Sequence, residues 1–308
     1  MGTIVQLKVY GENAESATEK ALERISDIEN KMSVNIETSE ITKLNEKAGN
    51  SEQKLSKDTY FVVNEAMQYS KLTEGSFDIS IEPIVKLWGI GTDKERVPSK
   101  GEIEEKLKLV DYKNILLDEK DSTVQLRGAG EAIDLGAIAK GYTADEIKKV
   151  LLDNKISSAL INLGGNIFAI GSKVDGTNWN IGIQNPLDTR GQYIGTISVT
   201  DKSVVTSGNY ERFFIVNGKR YHHIFDPKTG YPSEAGLIST TIVSDKSIDG
   251  DALSTSTYIM GLSKGLKLIE SIKGVDAIFI TKDKKIYVTS GLKNDFNLTN
   301  KEFIYEKR

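Results

Sequence analysis

The sequence predicts an α+β fold, a single domain over residues 1–308 with a strand-rich middle and flanking helices. Three observations predict it. Ala14, Ala17, Ala21, Ile25, Ile28 and Met32 recur at three- and four-residue steps, which places them on one face of a helix. From Ser157 to Val216 the chain breaks into short β-rich runs: "SALINLGG", "NIFAIGS", "NWNIGIQN", "QYIGTISVT" and "RFFIVNG". Helical stretches lie on both sides of those runs, and no repeat, low-complexity tract or linker divides the chain.

Taken in order, Thr3 to Tyr10 alternates as a strand and leads into the helix of residues 14–32. "SVNIETSEITKLNEKAGN" is polar and reads as a loop with a short helix. "KDTYFVVNEAMQYSKLTEG" reads as a helix closed by Gly75. "SFDISIEPIVKLWGIG" is a turn and short helix ending among glycines. "YKNILLDEKDSTVQLRG" gives two strands joined by a turn, and "EAIDLGAIAKGYTADEIKKVLLDN" a strand running into a helix. Beyond the β-rich middle, "LISTTIVSD" is a strand. "SIDGDALSTSTYIMG" and "SKGLKLIESIKG" are helices, the first with Ser247 as its N-cap, and "VDAIFITKDKKIYVTSG" is a terminal hairpin.

Composition narrows the function. Hydrophobic residues are 38% and charged residues 27%, the balance of a globular chain. The net charge is −4 and the Lys and Arg residues are dispersed, which argues against a nucleic-acid groove. With no cysteine, disulfides, thiolate metal sites and Cys nucleophiles are excluded. No apolar run is long enough to span a bilayer, and "MGTIVQLKVYG" lacks the order of a signal peptide. Two readings stay open: a cytosolic chain, or an exported one whose leader is absent from this sequence.

Four stretches carry residues suited to chemistry. In "SIDGDALSTSTYIMG", Asp251 and Thr255 are four apart, so their oxygens share a helix face and suit Mg²⁺, a hard cation. An exposed polar helix start explains the same pattern. "IDLGAIAKGYTAD" places small residues with Asp134, Lys140 and Asp145 at a strand-to-helix junction. Such a junction either offers backbone N–H groups to phosphate or packs closely; it lacks the Gly-Lys-Ser/Thr of a P-loop. "NLGGN" and "TSGNYER" read as ligand-approach loops or as plain turns, and no nucleophile elbow surrounds Ser207. The last is "YHHIFDPKTGYP", which holds both histidines of the chain. On a strand "RYHHIF", His222 and His223 face opposite ways, so they do not serve as two ligands to one metal. One of them is a base or hydrogen-bond donor, the other structural or solvent-facing.

Taken together, "MGT", "FDIS", "DLGAIAKGYTAD", "NLGGN", "TSGNYER", "HIFDPKTGYP" and "DGDALSTSTYIMG" run along nearly the whole chain in one order. In that order they resemble the ApbE family, the FAD:protein FMN transferases. The resemblance implies that FAD and Mg²⁺ bind, and that the FMN half moves onto a Thr or Ser hydroxyl of an acceptor protein with release of AMP. It implies Asp251 and Thr255 as metal ligands, the Ala137 carbonyl as another, and Ser254 beside them. It places Met1, Ser76, Phe77, Asp78, Asp134, Lys140 and Phe225 along the FAD site, and makes His223 the general base for the incoming hydroxyl. Many such proteins are exported and lipid-anchored, which implies the outer face of the bacterial cytoplasmic membrane, and no nucleic-acid partner.

One position departs from the pattern. Asn35 follows "MSV" where the family often carries a Tyr that stacks on adenine. A looser adenine side admits water beside the phosphorus, so hydrolysis of FAD to FMN and AMP is an alternative outcome of the same site. A non-catalytic flavin-binding lipoprotein is a third reading. His223 and the two metal side chains argue against it.

Overall fold

The computed structural model describes residues 2–189 and 191–306. The chain forms two compact units, each assembled from separated stretches. One comprises Asp27–Ala139 and Asn209–Glu234; the other comprises Gly2–Ser26, Lys140–Gly208 and the chain from Ala235 onward.

The second unit is built on an eight-stranded sheet. Its strands are β1 (Val5–Tyr10), β5 (Ser158–Leu163), β6 (Asn166–Ile170), β9 (Ser203–Gly208), β12 (Leu237–Ser244), β13 (Asp276–Thr281), β14 (Lys285–Val288) and β16 (Ile304–Tyr305). They lie in the order β1-β5-β6-β9-β12-β13-β14-β16. Every pairing is antiparallel except β14 with β16. A three-stranded sheet of β7 (Trp179–Gln184), β8 (Tyr193–Val199) and β15 (Phe296–Leu298) packs against it. Trp179, Ile181, Ile194 and Ile197 share one apolar core with Val204, Val243, Ile278 and Ile280. Helix α7 (Ser247–Glu270) lies along β12 and β9. Two-sided cover explains why β12, "LISTTIVS", is buried at every position. Gly261 interrupts α7 with φ 77° and ψ 173°, so the stretch is two helical segments, as the sequence predicts.

The N-terminal part of α1 (Ala14–Met32) also belongs to the second unit, as does nearly all of α6 (Ala139–Asp153). Arg24 and Glu146 join the two helices at 2.6 Å.

The first unit is largely helical. It contains α2 (Glu40–Glu46), α3 (Lys57–Leu72), α4 (Glu82–Trp88) and α5 (Lys100–Leu107). Ser39, Ser56 and Ser99 cap α2, α3 and α5 by accepting a backbone N–H with the side chain, and Ser99 completes a capping box with Glu102. Gly75, at φ 76°, closes α3 by donating its N–H to the Ser70 carbonyl at 2.8 Å. A small sheet of β2 (Gln53–Lys54), β4 (Thr123–Leu126) and β3 (Ile115–Asp118) and a two-stranded ribbon of β10 (Phe213–Val216) and β11 (Lys219–His222) complete it. Ile84, Trp88, Ile103 and Phe225 form its aromatic core, and Trp88 Nε1 donates to the Gly230 carbonyl at 2.9 Å.

Three expectations are corrected. The strand expected at the start of "EAIDL" is irregular backbone. The Asn45 side chain takes its place, accepting from the Ile133 N–H at 2.8 Å and donating to the Ile133 carbonyl at 3.0 Å. Ser247 is not the cap of α7: that position is Lys246, without a side-chain bond, and Ser247 Oγ instead donates to Asn166 Oδ1 at 2.7 Å. The hairpin β13–β14 does not end the fold, since β15 and β16 follow it.

Candidate functional site

In the second unit, α6 and α7 meet at a carboxylate. Asp251, one turn into α7, is 3% exposed. Its Oδ1 lies 3.3 Å from Lys140 Nζ. Its Oδ2 accepts the Gly141 N–H at 2.9 Å. That amide sits in the first turn of α6, where helical N–H groups have no intrahelical acceptor. A Cβ on Gly141 would fall 2.3 Å from the Ser247 carbonyl oxygen, so only glycine lets α6 come this close to α7. Gly141, the last residue of "LGAIAKG", therefore serves close helix–helix packing, and the packing brings its amide to the acid.

Hydroxyls surround the same turn of α7. Ser207 Oγ, on β9, lies 2.9 Å from Ser254 Oγ and 3.2 Å from Thr255 Oγ1. Ser254 Oγ donates to the Asp251 carbonyl at 3.0 Å. Among the described residues no three His, Asp or Glu side chains cluster. A cation at Asp251 would thus be held by one carboxylate and by neutral oxygens. An all-oxygen set suits a hard ion such as Mg²⁺, and the Lys140 ammonium already occupies a position where positive charge meets Asp251. The donor set fits the ion.

The start of α7 is secured by a second acid. Asp145 of α6 accepts the Ser247 N–H at 2.8 Å and the Ile248 N–H at 2.9 Å, doing for α7 what no side chain at Lys246 does. Burial pushes its carboxyl up to about 6, against the pull of those two amides.

In the first unit the two histidines part company, as strand alternation requires. His222 is 5% exposed. Its Nε2 sits 3.0 Å from the Ser233 carbonyl, and its Nδ1 accepts the Ile224 N–H at 3.3 Å. A carbonyl only accepts, so Nε2 carries the proton and both ring nitrogens are spent on backbone. His223 is half-buried. Its Nδ1 faces the Arg212 carbonyl at 3.2 Å and must be the protonated nitrogen, which puts the lone pair of the neutral ring on Nε2.

The other expected residues of this unit are placed as follows. Asn35 is exposed, and its N–H donates to Ser33 Oγ at 3.2 Å. It follows Val34, which lines a cleft of ≈ 620 Å³ together with Asn45, Pro83, Lys86, Arg96 and Ala132. Phe77 is in the core, 1% exposed, edge-on to Tyr69; Ser76 beside it is also buried. Asp78 accepts from the Ser80 N–H and hydroxyl at 2.8 and 2.6 Å, and from the Tyr112 N–H at 3.0 Å. Burial pushes its carboxyl up despite these donors. Asp134 donates its N–H to the Ile79 carbonyl at 2.8 Å, and its carboxylate accepts from the Gly136 N–H. Ala137 lies in the turn before α6. Phe225 packs on Trp88 with ring centroids 5.8 Å apart and planes tilted by 41°. Met1 lies outside the described residues.

The sequence assigns no task to four residues that the structure brings into play. It excludes Ser207 as an elbow nucleophile, names Asp145 without a role, and holds Gly141 only as one small residue of "IDLGAIAKGYTAD". Glu82 gave no signal at all: it is 2% exposed, its Oε1 is 3.7 Å from Lys86 Nζ, and its Oε2 has no hydrogen-bond partner. Burial, and then the charge of Asp134, push its carboxyl up to about 8.

Comparison with known proteins gives a consistent result. A model of the ApbE family matches residues 1–279. The chain is 36% identical to the FAD:protein FMN transferase of Treponema pallidum, with 100% of this chain and 90% of that protein covered. It is also 36% identical to a protein of that name from Klebsiella pneumoniae, over 94% of this chain and 90% of the other. Among solved structures, the ApbE protein of Thermotoga maritima is 34% identical, with a TM-score of 0.88 and 95% of each chain covered. The flavin transferase ApbE of Vibrio cholerae is 27% identical, with a TM-score of 0.87 and 96% of each chain covered.

Proposed function

This chain belongs to the ApbE family, and on that premise we propose that it moves the FMN half of FAD onto a Thr or Ser hydroxyl of an acceptor protein, releasing AMP, with Mg²⁺ as its metal. The observation that carries the metal assignment is the buried Asp251, set among the hydroxyls of Ser207, Ser254 and Thr255 and already matched by a cation, Lys140. Held by Asp251, Ser254 and Thr255, Mg²⁺ would supply positive charge against the pyrophosphate and so favour the departure of AMP.

The chain's own residues supply the rest. Asp251 provides the charged oxygen for the ion, and Thr255 and Ser254 provide neutral ones. Gly141 holds the carboxylate through its N–H, so the orientation of Asp251 is set before a ligand arrives. Lys140 offers an ammonium that can be shared between Asp251 and a phosphate oxygen. His223, with Nδ1–H tied to the Arg212 carbonyl, presents Nε2 as the base. Nε2 takes the acceptor hydroxyl proton as that oxygen attacks the FMN-side phosphorus. One O–P bond forms, the bridging P–O bond breaks, and AMP leaves. A positioned base of this kind contributes ~10²–10⁴-fold. Residence at the outer face of the bacterial cytoplasmic membrane, through a lipid anchor, belongs to the same proposal and rests on the family resemblance alone.

The test is a product assay. The protein is incubated with FAD and Mg²⁺, with and without an acceptor domain bearing a Thr, and AMP, free FMN and labelled protein are resolved. AMP matched by labelled acceptor is expected. AMP matched by free FMN would make water the acceptor and point to Asn35. No AMP under either condition would leave only a flavin binder.

A further inference from the structure

The two-stranded ribbon that precedes His223 has an edge that no other strand pairs with among the described residues. β10 and β11 pair with Phe213 opposite His222, Phe214 opposite Tyr221, Ile215 opposite Arg220 and Val216 opposite Lys219, around an Asn217-Gly218 turn with φ 51° and 76°. The His223 N–H donates to the Arg212 carbonyl at 3.1 Å, which sets the phase of the ladder. Hydrogen-bonded pairs then alternate from Arg212–His223 to Phe214–Tyr221 and Val216–Lys219. Phe213 and Ile215 turn their N–H and C=O groups away from β11. Among the described residues no other strand pairs with β10.

Exposed edges are normally blunted by a charge, a proline or a bulge. The β1 edge of the large sheet follows that rule, with Lys8 in the middle of the strand. β10 does not: it reads "FFIV", four apolar residues of high β-propensity, with Ile215 58% and Val216 38% exposed. The ribbon itself is firmly held. Phe214 and Tyr221 stack at 5.5 Å and pack on the Trp88 core, and the Arg220 guanidinium covers the Phe213 ring at 4.1 Å. Arg212 and Arg220 flank the edge in sequence with one acid, Glu211, beside them, while Lys219 at the turn is paired with Glu234 at 2.9 Å.

We propose that the outer edge of β10 takes the acceptor protein as an added strand: an extended segment with apolar residues alternating with acidic ones, and its Thr or Ser a few residues beyond the paired stretch. The inference rests on the transferase reading, which requires a second polypeptide to bring a hydroxyl to His223. β-Strand addition supplies affinity through backbone bonds and leaves the reactive side chain to be presented by the next residues. An added strand lies ~4.8 Å from β10 and so ~10 Å from the line of β11 that ends at His223, a gap closed by about three extended residues at ~3.3 Å each. The same Arg212 that ends the open edge holds the His223 ring through its carbonyl. The two arginines, Arg212 and Arg220, select acidic flanks.

The test needs no FAD in its first arm. The full chain is mixed with a synthetic peptide alternating Val and Asp with a Thr near each end, and amide hydrogen exchange is followed. Exchange at the Phe213 and Ile215 amides is expected to slow at least ~10-fold. The same peptide N-methylated at alternate amides should give no slowing. Protection elsewhere, or none, overturns the proposal. Protection that rises with the chain's own concentration, without peptide, assigns the edge to a second copy and also overturns it. In the second arm, Ile215→Pro removes an outward N–H while leaving the ribbon's own bonds intact. It should raise the KM for acceptor at least ~10-fold with FAD affinity unaltered, and Ile215→Val should behave as wild type. An unchanged KM, or a parallel loss of FAD affinity, rejects the edge. A wild-type chain that labels no polypeptide rejects the transferase reading instead, and the exchange arm still judges the edge.

Discussion

Asp251 and Glu82 are both interior acids, 3% and 2% exposed, one in each unit, and they are treated in opposite ways. Asp251 receives an ammonium on one oxygen and an amide on the other. Glu82 has one lysine at 3.7 Å, on a side chain that is itself mostly in solvent, and nothing on its second oxygen. Burying a charge is unfavourable unless donors and opposite charge replace water. Asp251 has that replacement and is suited to hold a cation. Glu82 lacks it, and burial pushes its carboxyl up to about 8. The difference teaches that burial alone does not mark a working carboxylate; the partners around it do.

The largest expected effect comes from removing the well-partnered acid. Asp251→Ala should lower AMP release by about 10³-fold, which corresponds to roughly 4 kcal/mol of transition-state stabilisation. Circular dichroism should show a folded protein. Unchanged turnover would remove Asp251 from the metal site and break the contrast with Glu82.

The two histidines offer the same contrast on a smaller scale. His223→Ala should lower flavin transfer ~10²–10⁴-fold with little change in FAD affinity. His222→Ala should leave the rate nearly unaltered and instead lower stability by about 1–3 kcal/mol, because the Ser233 carbonyl and Ile224 amide lose their partner. Transfer rates and denaturant midpoints on the same two proteins decide it. Equal loss of rate in both would merge the roles that strand alternation separates.

Much of this was legible in the sequence, and the reason is locality. The apolar face of α1, the opposite orientations of His222 and His223 and the shared face of Asp251 and Thr255 follow from periods of 3.6 and 2. The break at Gly261 was legible as two helical patterns in succession. What stayed hidden depends on residues far apart in the chain. Gly141 and Asp251 are separated by 110 positions. Ser207 reaches Thr255 only because β9 lies beneath α7. The strand expected at "EAIDL" gives way to Asn45, a side chain 88 positions away that takes both backbone groups of Ile133. No periodicity announces a polar side chain that substitutes for a ladder.

Glu82 supplies the next prediction, and its sign can be worked out. Its folded pKa, about 8, lies above the ordinary 4.5. The unfolded chain therefore releases this proton first, and stability falls as pH rises from about 4.5 through about 8, then levels off. Glu82→Gln removes the titration. Between pH 5 and pH 9 the wild type should lose about 2–3 kcal/mol more than the variant, each pKa unit being worth about 1.4 kcal/mol before relaxation is allowed for. Denaturant melts of both proteins across that range test it. Parallel pH profiles would mean that Glu82 finds a partner in solution and is no longer the counterpart of Asp251.

Asp145 lies between these two extremes and gives the smallest effect. It has two amide donors at the start of α7 and the charge of Lys148 acting through space, and burial raises its carboxyl to about 6, short of Glu82. Partner number thus orders the two titrating acids as the physical argument requires. By the same sign rule, its ionisation lowers stability as pH rises from about 3.8 through about 6 and contributes no further change above that. At pH 7 the carboxylate still satisfies two N–H groups that α7 cannot satisfy itself. Asp145→Ala should therefore lower stability by about 1 kcal/mol, the usual loss when a helix start is stripped of its acceptor, and Asp145→Asn by less, since one amide keeps an oxygen. Exchange at the Ser247 and Ile248 amides should quicken in the Ala variant alone. If those amides stay protected, another group caps α7, and the acid at position 145 is buried without purpose, as Glu82 is.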